Sequence, residues 1–402
     1  MIDRTVRVNL LIGTGHFLSH FYVLCLPPMF LVWQQAFNVS FAQLGLSVAL
    51  MSATTAILQT PVGFLVDRHG ARYFLVGGTL LMTITIGLMG VATAFWQILV
   101  LSLLSGIGNS VIHPADYAIL TGSVPKERMG RSFAIHTFNG NLGFFLAPPV
   151  MALLMLWIGW RGSLVLVGAL GVPLVAAILL QSRILIDQAS PRDAHTGPHI
   201  SGRALLMTKP MLLFFGFFLL SSMAGAGIQS WLITVLTQVK GMDIAAASTT
   251  LTFYMAGATG GVLVGGYVSD RITRHLTFAS VLTIISAALL LVVAGLTLPE
   301  VMIFGLMFFS GLAVGCSRTP RDLMVKDAAP PGQIGKVFGF ISSGLPLGSA
   351  LTPVPLGWII DHGHPELVLV LVAAMLLLSL LCCGTARVAA HHATRPDAVP
   401  AE

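Results

Sequence analysis

The chain has 402 residues, of which 55% are hydrophobic and only 9% are charged. Soluble domains carry roughly a quarter charged residues, so this composition excludes an ordinary water-soluble globular protein. The formal net charge of +6 would suit a nucleic-acid partner, but the basic side chains lie mostly in short breaks between apolar stretches, and we predict no such partner.

The apolar stretches predict an all-α membrane protein. A spanning helix needs about 20 apolar residues, and we predict twelve such stretches between Val8 and Arg387. The first stretch is too long for a signal peptide, and no small-residue cleavage site follows it. A Pro/Gly/Ser-rich interval divides the chain. The predicted units are a six-helix bundle at 1–183, a linker at 184–208, a second six-helix bundle at 209–390 and a disordered tail at 391–402.

The positions of the basic residues predict the orientation in the membrane. Most of the 21 Lys and Arg side chains fall at one set of helix ends, and only Arg161 and Lys240 fall at the other set. The positive-inside rule then places both termini, the linker and the tail in the cytoplasm, with the helices in the inner membrane. All 4 cysteines lie in apolar stretches, so we predict neither a disulfide framework nor a thiolate metal site.

The two halves repeat the same landmarks in the same order. The second stretch ends in Gly-x-x-x-Asp-Arg at 63–68, and the eighth stretch ends in the same pattern at 266–271. A Pro-x-Asp at 114–116 recurs at 320–322. Parallel six-helix repeats with a site near the midplane are typical of one large class of secondary transporters.

On these motifs the chain resembles the major facilitator superfamily. The segment from 63 to 72 matches the family's loop 2-3 signature, and the second half carries a degenerate copy of it. The resemblance implies twelve transmembrane helices in two six-helix pseudo-repeats around a central cavity, and transport by alternating access; we expect a monomer. It also implies a gating motif of Gly63, Asp67, Arg68, Gly70 and Arg72, with Asp270 and Arg271 as the counterpart. Within this motif Asp67, Arg68 and Arg72 have the role of a cytoplasmic latch. We expect Gly63 to allow close helix approach.

A narrower resemblance links the middle of the first half to the fosmidomycin-resistance group of facilitators. The similar residues are Gly106-x-Gly108, His113-Pro114, Gly140-Asn141-x-Gly143 and Pro148. This similarity supports an alternative function, multidrug or antimicrobial efflux by proton antiport. Drug antiporters of the family usually carry an arginine just before the first of these glycine pairs. Residues 101–105 contain none, which disfavours a typical drug-antiport mechanism.

Few ionisable side chains interrupt the predicted spans. Charges inside the bilayer cost several kcal/mol, so by default they indicate function. In the family's fold helices one, four, seven and ten line the cavity, and helix seven offers Gln229. The intramembrane ionisable residues are His16, His20, His113, Asp116, His136, Arg318, Arg321 and Asp322.

The arginines of helix ten predict an anionic cargo. Arg318 and Asp322 are spaced i, i+4 and can pair, which leaves Arg321 to bind either Asp116 or the substrate. A guanidinium suits carboxylate or phosphonate and keeps its charge when buried. We predict a small organic anion, and the alternative is a gating network of salt bridges among these four residues. The predicted substrate-binding residues are Arg321, Arg318, His20, His113, Asn141 and Gln229.

The histidines and carboxylates predict proton coupling. Histidine titrates near neutral pH, and desolvated carboxylates take up protons more readily; the predicted proton-coupling residues are Asp116, Asp322 and His16. Zinc bound by His16, His20, His113 and Asp116 is an alternative that nearby arginines would oppose, so we predict no metal and no cofactor beyond a proton gradient. For His136 we expect a helix–helix hydrogen bond. The soluble segments carry no nucleotide-binding or nucleophile motif, so we predict a non-enzyme.

Overall fold

The structure is a computed structural model that describes residues 3–186, 207–269, 271–328, 337 and 340–393. These residues form α-helices joined by short turns, and no strand occurs among them. The helices of the first half are α1 (Arg4–Leu24), α2 (Phe30–Phe37), α3 (Phe41–His69), α4 (Ala71–Met89), α5 (Phe95–Ser123), α6 (Met129–Ala169) and α7 (Gly171–Leu180). Those of the second half are α8 (Lys209–Lys240), α9 (Ile244–Ser269), α10 (His275–Gly295), α11 (Glu300–Ala328), α12 (Gly344–Leu351), α13 (Pro353–Asp361) and α14 (Leu367–Ala393).

The predicted all-α membrane fold is confirmed. Within the described residues, 9 helices are long and apolar enough to cross a membrane. One of them, 131–180, carries two predicted spans, and Gly159 divides it with a φ of 68°, a left-handed conformation that glycine adopts without steric cost. The eleventh predicted span is broken between α12 and α13, where Pro353 begins a new helix. The twelfth corresponds to the shorter apolar helix Leu367–Cys383.

Glycines bring several helix backbones into close contact, as is usual where no hydrophobic effect drives helices together in lipid. A Cβ on Gly257 of α9 would lie 2.0 Å from the Phe308 carbonyl oxygen of α11, and a Cβ on Gly78 of α4 would lie 2.7 Å from the Gly108 oxygen of α5. No described atom lies within 4 Å of a Cβ built on Gly63, so the close approach expected at that glycine stays a prediction.

Two ends of the bundle can be distinguished by their cations. At the end where α1 begins, the basic face, Arg7 donates to the Gln181 side chain at 2.7 Å and Arg128 pairs with Asp3. The Arg128 guanidinium holds the pKa of the exposed Asp3 carboxyl below its usual value.

At the opposite face each of two cations caps backbone carbonyls beyond a helix end. Arg161 donates to the Ala92 oxygen at 2.7 Å, and Lys240 donates to the Leu296 oxygen at 2.8 Å. These two basic residues therefore have a structural role at the opposite face, since they satisfy carbonyl groups that follow the ends of α4 and α10.

Parts of the predicted domain plan lie outside the described residues. Most of the predicted linker, 187–206, and the last residues of the tail, 394–402, belong to that part. Helix α14 continues through Ala393, beyond the predicted end of the second bundle at 390.

Candidate functional site

A cavity of about 260 Å³ lies mainly among helices of the second half. Its lining comes from α8, α9, α10, α11, α12 and α14, joined by Asn141 and Phe144 of α6. Of the four predicted cavity helices, the seventh span (α8) and the tenth span (α11) contribute. The residues that line this cavity include none from the first or fourth span.

Two arginines of α11 reach this cavity. Arg321 Nε donates to Asp322 Oδ1 at 2.8 Å, and its guanidinium carbon lies 4.2 Å from the centre of the Phe218 ring. Arg318 lines the cavity without a hydrogen bond or ion pair to any described residue. The predicted pairing of Arg318 with Asp322 is therefore wrong. The flexible Arg321 side chain folds back onto the adjacent carboxylate, although the two Cα atoms are on different rows of the helix.

The alternative of a closed salt-bridge network is also absent from the described residues. Asp116, its proposed member from the first half, pairs with histidines instead. Among the described residues of the second half, Asp322 is the one carboxylate that pairs with these arginines, and its side chain is 46% exposed.

Neutral hydrogen-bonding groups surround the arginines. Gln229 of α8 and Asn141 of α6 line the cavity as predicted substrate-binding residues. The sequence reasoning missed the hydroxyl groups, because single serines in apolar helices usually bond to their own backbone. The hydroxyl-bearing lining residues are Ser221, Ser222, Tyr254, Thr259, Thr283, Ser317, Ser349 and Ser379.

The remaining polar residues of the first half form a separate group, which we call the histidine cluster: His16, His20, His113, Asp116 and His136. It lies between α1, α5 and α6 and does not line the cavity. His136 Nε2 is 3.0 Å from Asp116 Oδ2, so the expected helix–helix hydrogen bond of His136 is confirmed. His16 Nδ1 is 3.6 Å from the same oxygen. The predicted substrate-binding residues His20 and His113 belong to this cluster.

The histidine rings are packed against one another. The ring of His16 stacks on that of His136 at 3.7 Å between centroids, and it lies 4.3 Å from His20 and 4.9 Å from His113. The cluster adjoins the cavity wall at Phe144, whose ring lies 4.3 Å from that of His20. The side chains of His16 and Asp116 are both buried. The proton-coupling roles predicted for these two residues stay predictions.

The gating motif is described in part. Gly70 joins α3 to α4 with a φ of 89°, which explains the glycine at this position. Arg68 is exposed, Arg72 donates to the Ser182 carbonyl oxygen at 3.2 Å, and Arg271 covers the Tyr267 ring at 3.5 Å. Asp270 and the side chain of Asp67 lie outside the described residues, so the latch itself stays a prediction.

The two halves are in contact at the opposite face. The backbone N–H groups of Phe41 and Ala42, at the start of α3, donate to the two oxygens of Asp361 at 2.6 and 2.8 Å. A Cβ on Gly357 of α13 would lie 2.6 Å from the Phe41 oxygen. Trp231 packs beside Phe41, and its Nε1 donates to the Pro353 oxygen at 3.0 Å. These contacts close the opposite face between the halves.

Comparisons with known proteins agree with this architecture. The family model of the Major Facilitator Superfamily matches residues 12–320 and 241–400. The fosmidomycin resistance protein of Escherichia coli K12 is 26% identical over 384 residues, covering 92% of this chain and 90% of that protein. A probable L-galactonate transporter of the same organism is 22% identical, covering 82% of this chain and 78% of that protein.

A solved structure has the same fold. A bacterial homologue of the human lysosomal transporter Spinster, in an inward-facing and unoccupied conformation, aligns over 100% of both chains with a TM-score of 0.79 and 16% identity. Together with the paired six-helix halves and the polar cavity, the match of the family model to most of the sequence leads to one conclusion: this chain belongs to the Major Facilitator Superfamily.

Proposed function

We propose that this protein is a secondary transporter for a small hydroxylated organic anion, a carboxylate or phosphonate, which it moves across the inner membrane by alternating access. The observation that carries the proposal is the pair of arginines, Arg318 and Arg321, at one polar cavity. Both termini face the cytoplasm in this proposal, so the basic face is cytoplasmic and the closed opposite face is external. The transporter acts as a monomer.

The charge of the cavity favours an anion. A guanidinium away from water needs an anionic partner, since an unpaired buried charge is destabilising by several kcal/mol. Arg318 has no such partner among the described residues. Arg321 pairs with Asp322, whose side chain is 46% exposed. A cargo carboxylate or phosphonate can accept two parallel N–H bonds from a guanidinium fork. Positively charged drugs would be repelled by the same groups.

The size and the lining of the cavity favour a small, hydroxylated cargo. Its volume of about 260 Å³ falls below the roughly 300–1,000 Å³ that is typical of pockets for drug-sized ligands. The hydroxyl and amide groups around the arginines could bond to the hydroxyls of such a cargo. The relative described as a probable L-galactonate transporter supports this class of substrate.

Asp322 provides a route for proton coupling. Its carboxylate occupies Arg321 Nε, where it competes with the cargo anion for the same donor. A proton on Asp322 removes that competition, so that proton uptake and anion binding favour each other. Asp322 therefore has the coupling role, and a proton gradient can drive transport of the cargo anion through it.

Efflux of antimicrobial compounds is the second candidate function. It is favoured by the similarity to the fosmidomycin resistance protein, which covers most of both chains. A transporter of small organic anions should be stabilised by such anions, whereas a multidrug efflux protein should be stabilised by bulky apolar or cationic compounds.

The test is a thermal-shift screen of the purified protein against small carboxylates, phosphonates and cationic drugs, because a ligand of the folded state raises its melting temperature. We expect stabilisation by galactonate or another small anion, lost in Arg321→Ala and in Arg318→Ala. Arg131→Ala is the matched control, since Arg131 is an exposed cation outside the cavity lining. Stabilisation only by bulky apolar or cationic compounds, retained in the arginine variants, would refute the anion proposal and favour efflux.

A further inference from the structure

The histidine cluster has no part in the proposed anion site, yet it contains an unusual concentration of buried polar atoms. His16, Asp116 and His136 are 3%, 0% and 2% exposed. Nδ1 of His20, Nδ1 of His136 and Oδ1 of Asp116 are buried without a hydrogen-bond partner among the described residues. Buried polar groups are nearly always satisfied, so these orphan atoms indicate a missing partner.

Three of the histidines converge from two helices. His16 and His20 are spaced i, i+4 on α1, the spacing that places two imidazoles on one helix face for a shared metal ion. His113 comes from α5, and one nitrogen of each ring lies within 4.8 Å of the others. Zinc binds imidazole nitrogen at about 2.0–2.1 Å, so nitrogens sharing an ion lie at most about 4.2 Å apart. A small inward movement of the rings would therefore complete the site.

Gly140 of α6 packs directly against the rings of His16 and His20. A Cβ built on Gly140 would lie 2.5 Å from His16 Nε2 and 2.9 Å from His20 Cε1. The glycine therefore leaves the ring edges of both histidines uncovered by a side chain. Nδ1 of His16 lies on the side of Asp116, and Nε2 is the nitrogen beside Gly140.

Asp116 and His136 complete the surroundings of such an ion. A carboxylate beside the second nitrogen of a ligating histidine fixes the ring and increases its basicity, and Asp116 Oδ2 lies 3.6 Å from His16 Nδ1. His136 holds that carboxylate from the other side at 3.0 Å. The arginines expected to repel a metal ion line the separate cavity of the second half, where Arg321 pairs with Asp322, and neither guanidinium belongs to the histidine cluster.

We propose that His16, His20 and His113 bind one divalent transition-metal ion of the zinc class, with Asp116 and His136 as its supporting carboxylate and histidine. Imidazole ligands suit zinc, nickel, copper and iron, and favour them over calcium or magnesium. The ion is resident, since the cluster lies outside the cavity lining. It joins α1 to α5 and balances the charge of Asp116 inside the membrane.

The test is direct metal analysis of the full-length protein, purified without a polyhistidine tag and stripped with a chelator. After incubation with Zn²⁺ or Co²⁺ and desalting, we expect about one ion per chain by mass spectrometry. We also expect a rise in melting temperature, and visible absorption bands for Co²⁺ typical of nitrogen ligands. Binding should fall at least tenfold in His16→Ala. It should fall similarly in Gly140→Ala, which removes no ligand but displaces the rings of His16 and His20.

A matched control and a variant-free measurement keep the test decisive. His364→Ala removes an exposed histidine beside Glu366, and it should leave the bound metal unchanged. If a cluster variant misfolds, X-ray absorption at the zinc edge of the wild-type protein decides instead, with two or more imidazoles expected in the first shell. No retained metal, a shell of oxygen alone, or loss of the metal in His364→Ala would overturn the proposal. Because no anion takes part, this result is independent of the arginine site.

Discussion

Arg321 is held at two points, by the Asp322 carboxylate and by the Phe218 ring. The carboxylate takes the Nε donor, while the aromatic face supports the guanidinium plane without using an N–H group. The residue is therefore oriented before cargo binds, and only one of its donors must exchange partners. Arg318, a turn away on the same helix, offers the remaining charge.

The first prediction concerns Asp322→Asn. If Asp322 competes with the cargo, wild-type anion affinity should rise as the pH falls, since the protonated acid no longer occupies Arg321. The Asp322→Asn variant should bind the anion a few-fold more tightly than the wild-type protein at neutral pH, because the half-exposed ion pair that it removes is weak. Its affinity should lose most of its pH dependence. Titration calorimetry over a pH series measures both quantities, and an unchanged pH profile would assign the coupling proton to another group.

A second prediction at the residue scale concerns Gly143 of α6. A Cβ there would lie 2.2 Å from the Phe17 carbonyl oxygen of α1, and a backbone atom cannot move aside as a flexible side chain can. Gly143→Ala should destabilise the protein by about 1–3 kcal/mol. Gly77→Ala is the control, because no described atom lies within 4 Å of its added Cβ. Equal melting temperatures for both variants would contradict the close α1–α6 contact.

At the scale of elements, the start of α3 is held by a carboxylate from the other half of the molecule. Ser40 and Gln43 form a capping box within α3, and Asp361 accepts from the next two N–H groups. The helix N-terminus attracts negative charge. The closed face therefore depends on an interaction between a helix dipole and a carboxylate that crosses between the halves.

Asp361→Asn should weaken this closure. A capping carboxylate contributes about 0.5–2 kcal/mol, so the ratio of closed to open forms should fall by roughly two- to thirtyfold. Spin labels on Gln35 and Glu366, exposed residues on different halves at the opposite face, report the separation in a variant lacking the four native cysteines. A longer component should grow in Asp361→Asn. An unchanged distance distribution would mean that packing around Trp231 alone keeps the face closed.

Helix positions were easier to predict from the sequence than the partners of individual side chains. Apolar length and the Gly-x-x-x-Asp-Arg repeats determine the spans, because every backbone polar group must be satisfied within a helix in lipid. The partner of Arg321 depends on side-chain rotation, which spacing rules do not describe. The separation of the histidines from the cavity depends on helix rotation, which the periodicity of nearly uniform apolar stretches does not reveal.

At the scale of the whole molecule, the two halves carry different chemistry. The first half contains the buried histidine cluster, and the second contains the arginines and most of the cavity lining. Contacts at the opposite face hold the halves together around Phe41 and Asp361. Alternating access then requires that these contacts open while the basic face closes, a rigid-body motion typical of paired repeats.

The orientation of the whole molecule is a further prediction. The accumulation of Lys and Arg at one face predicts that both termini lie in the cytoplasm. A green fluorescent protein fused to the C-terminus should therefore fluoresce, and alkaline phosphatase fused at the same position should be inactive, because it folds only after export. The reverse result would invert the assignment of the closed face.

The most direct test of the account is transport itself, measured with purified protein in liposomes. The cargo is the small organic anion that gives the largest thermal shift, and an inward proton gradient is imposed. The account predicts proton-stimulated uptake by the wild-type protein and by Arg131→Ala, and a loss of at least about tenfold in Arg321→Ala, the effect of removing a charged hydrogen bond. Uptake by a well-folded Arg321→Ala protein at the wild-type rate would contradict the central claim that this arginine holds the cargo.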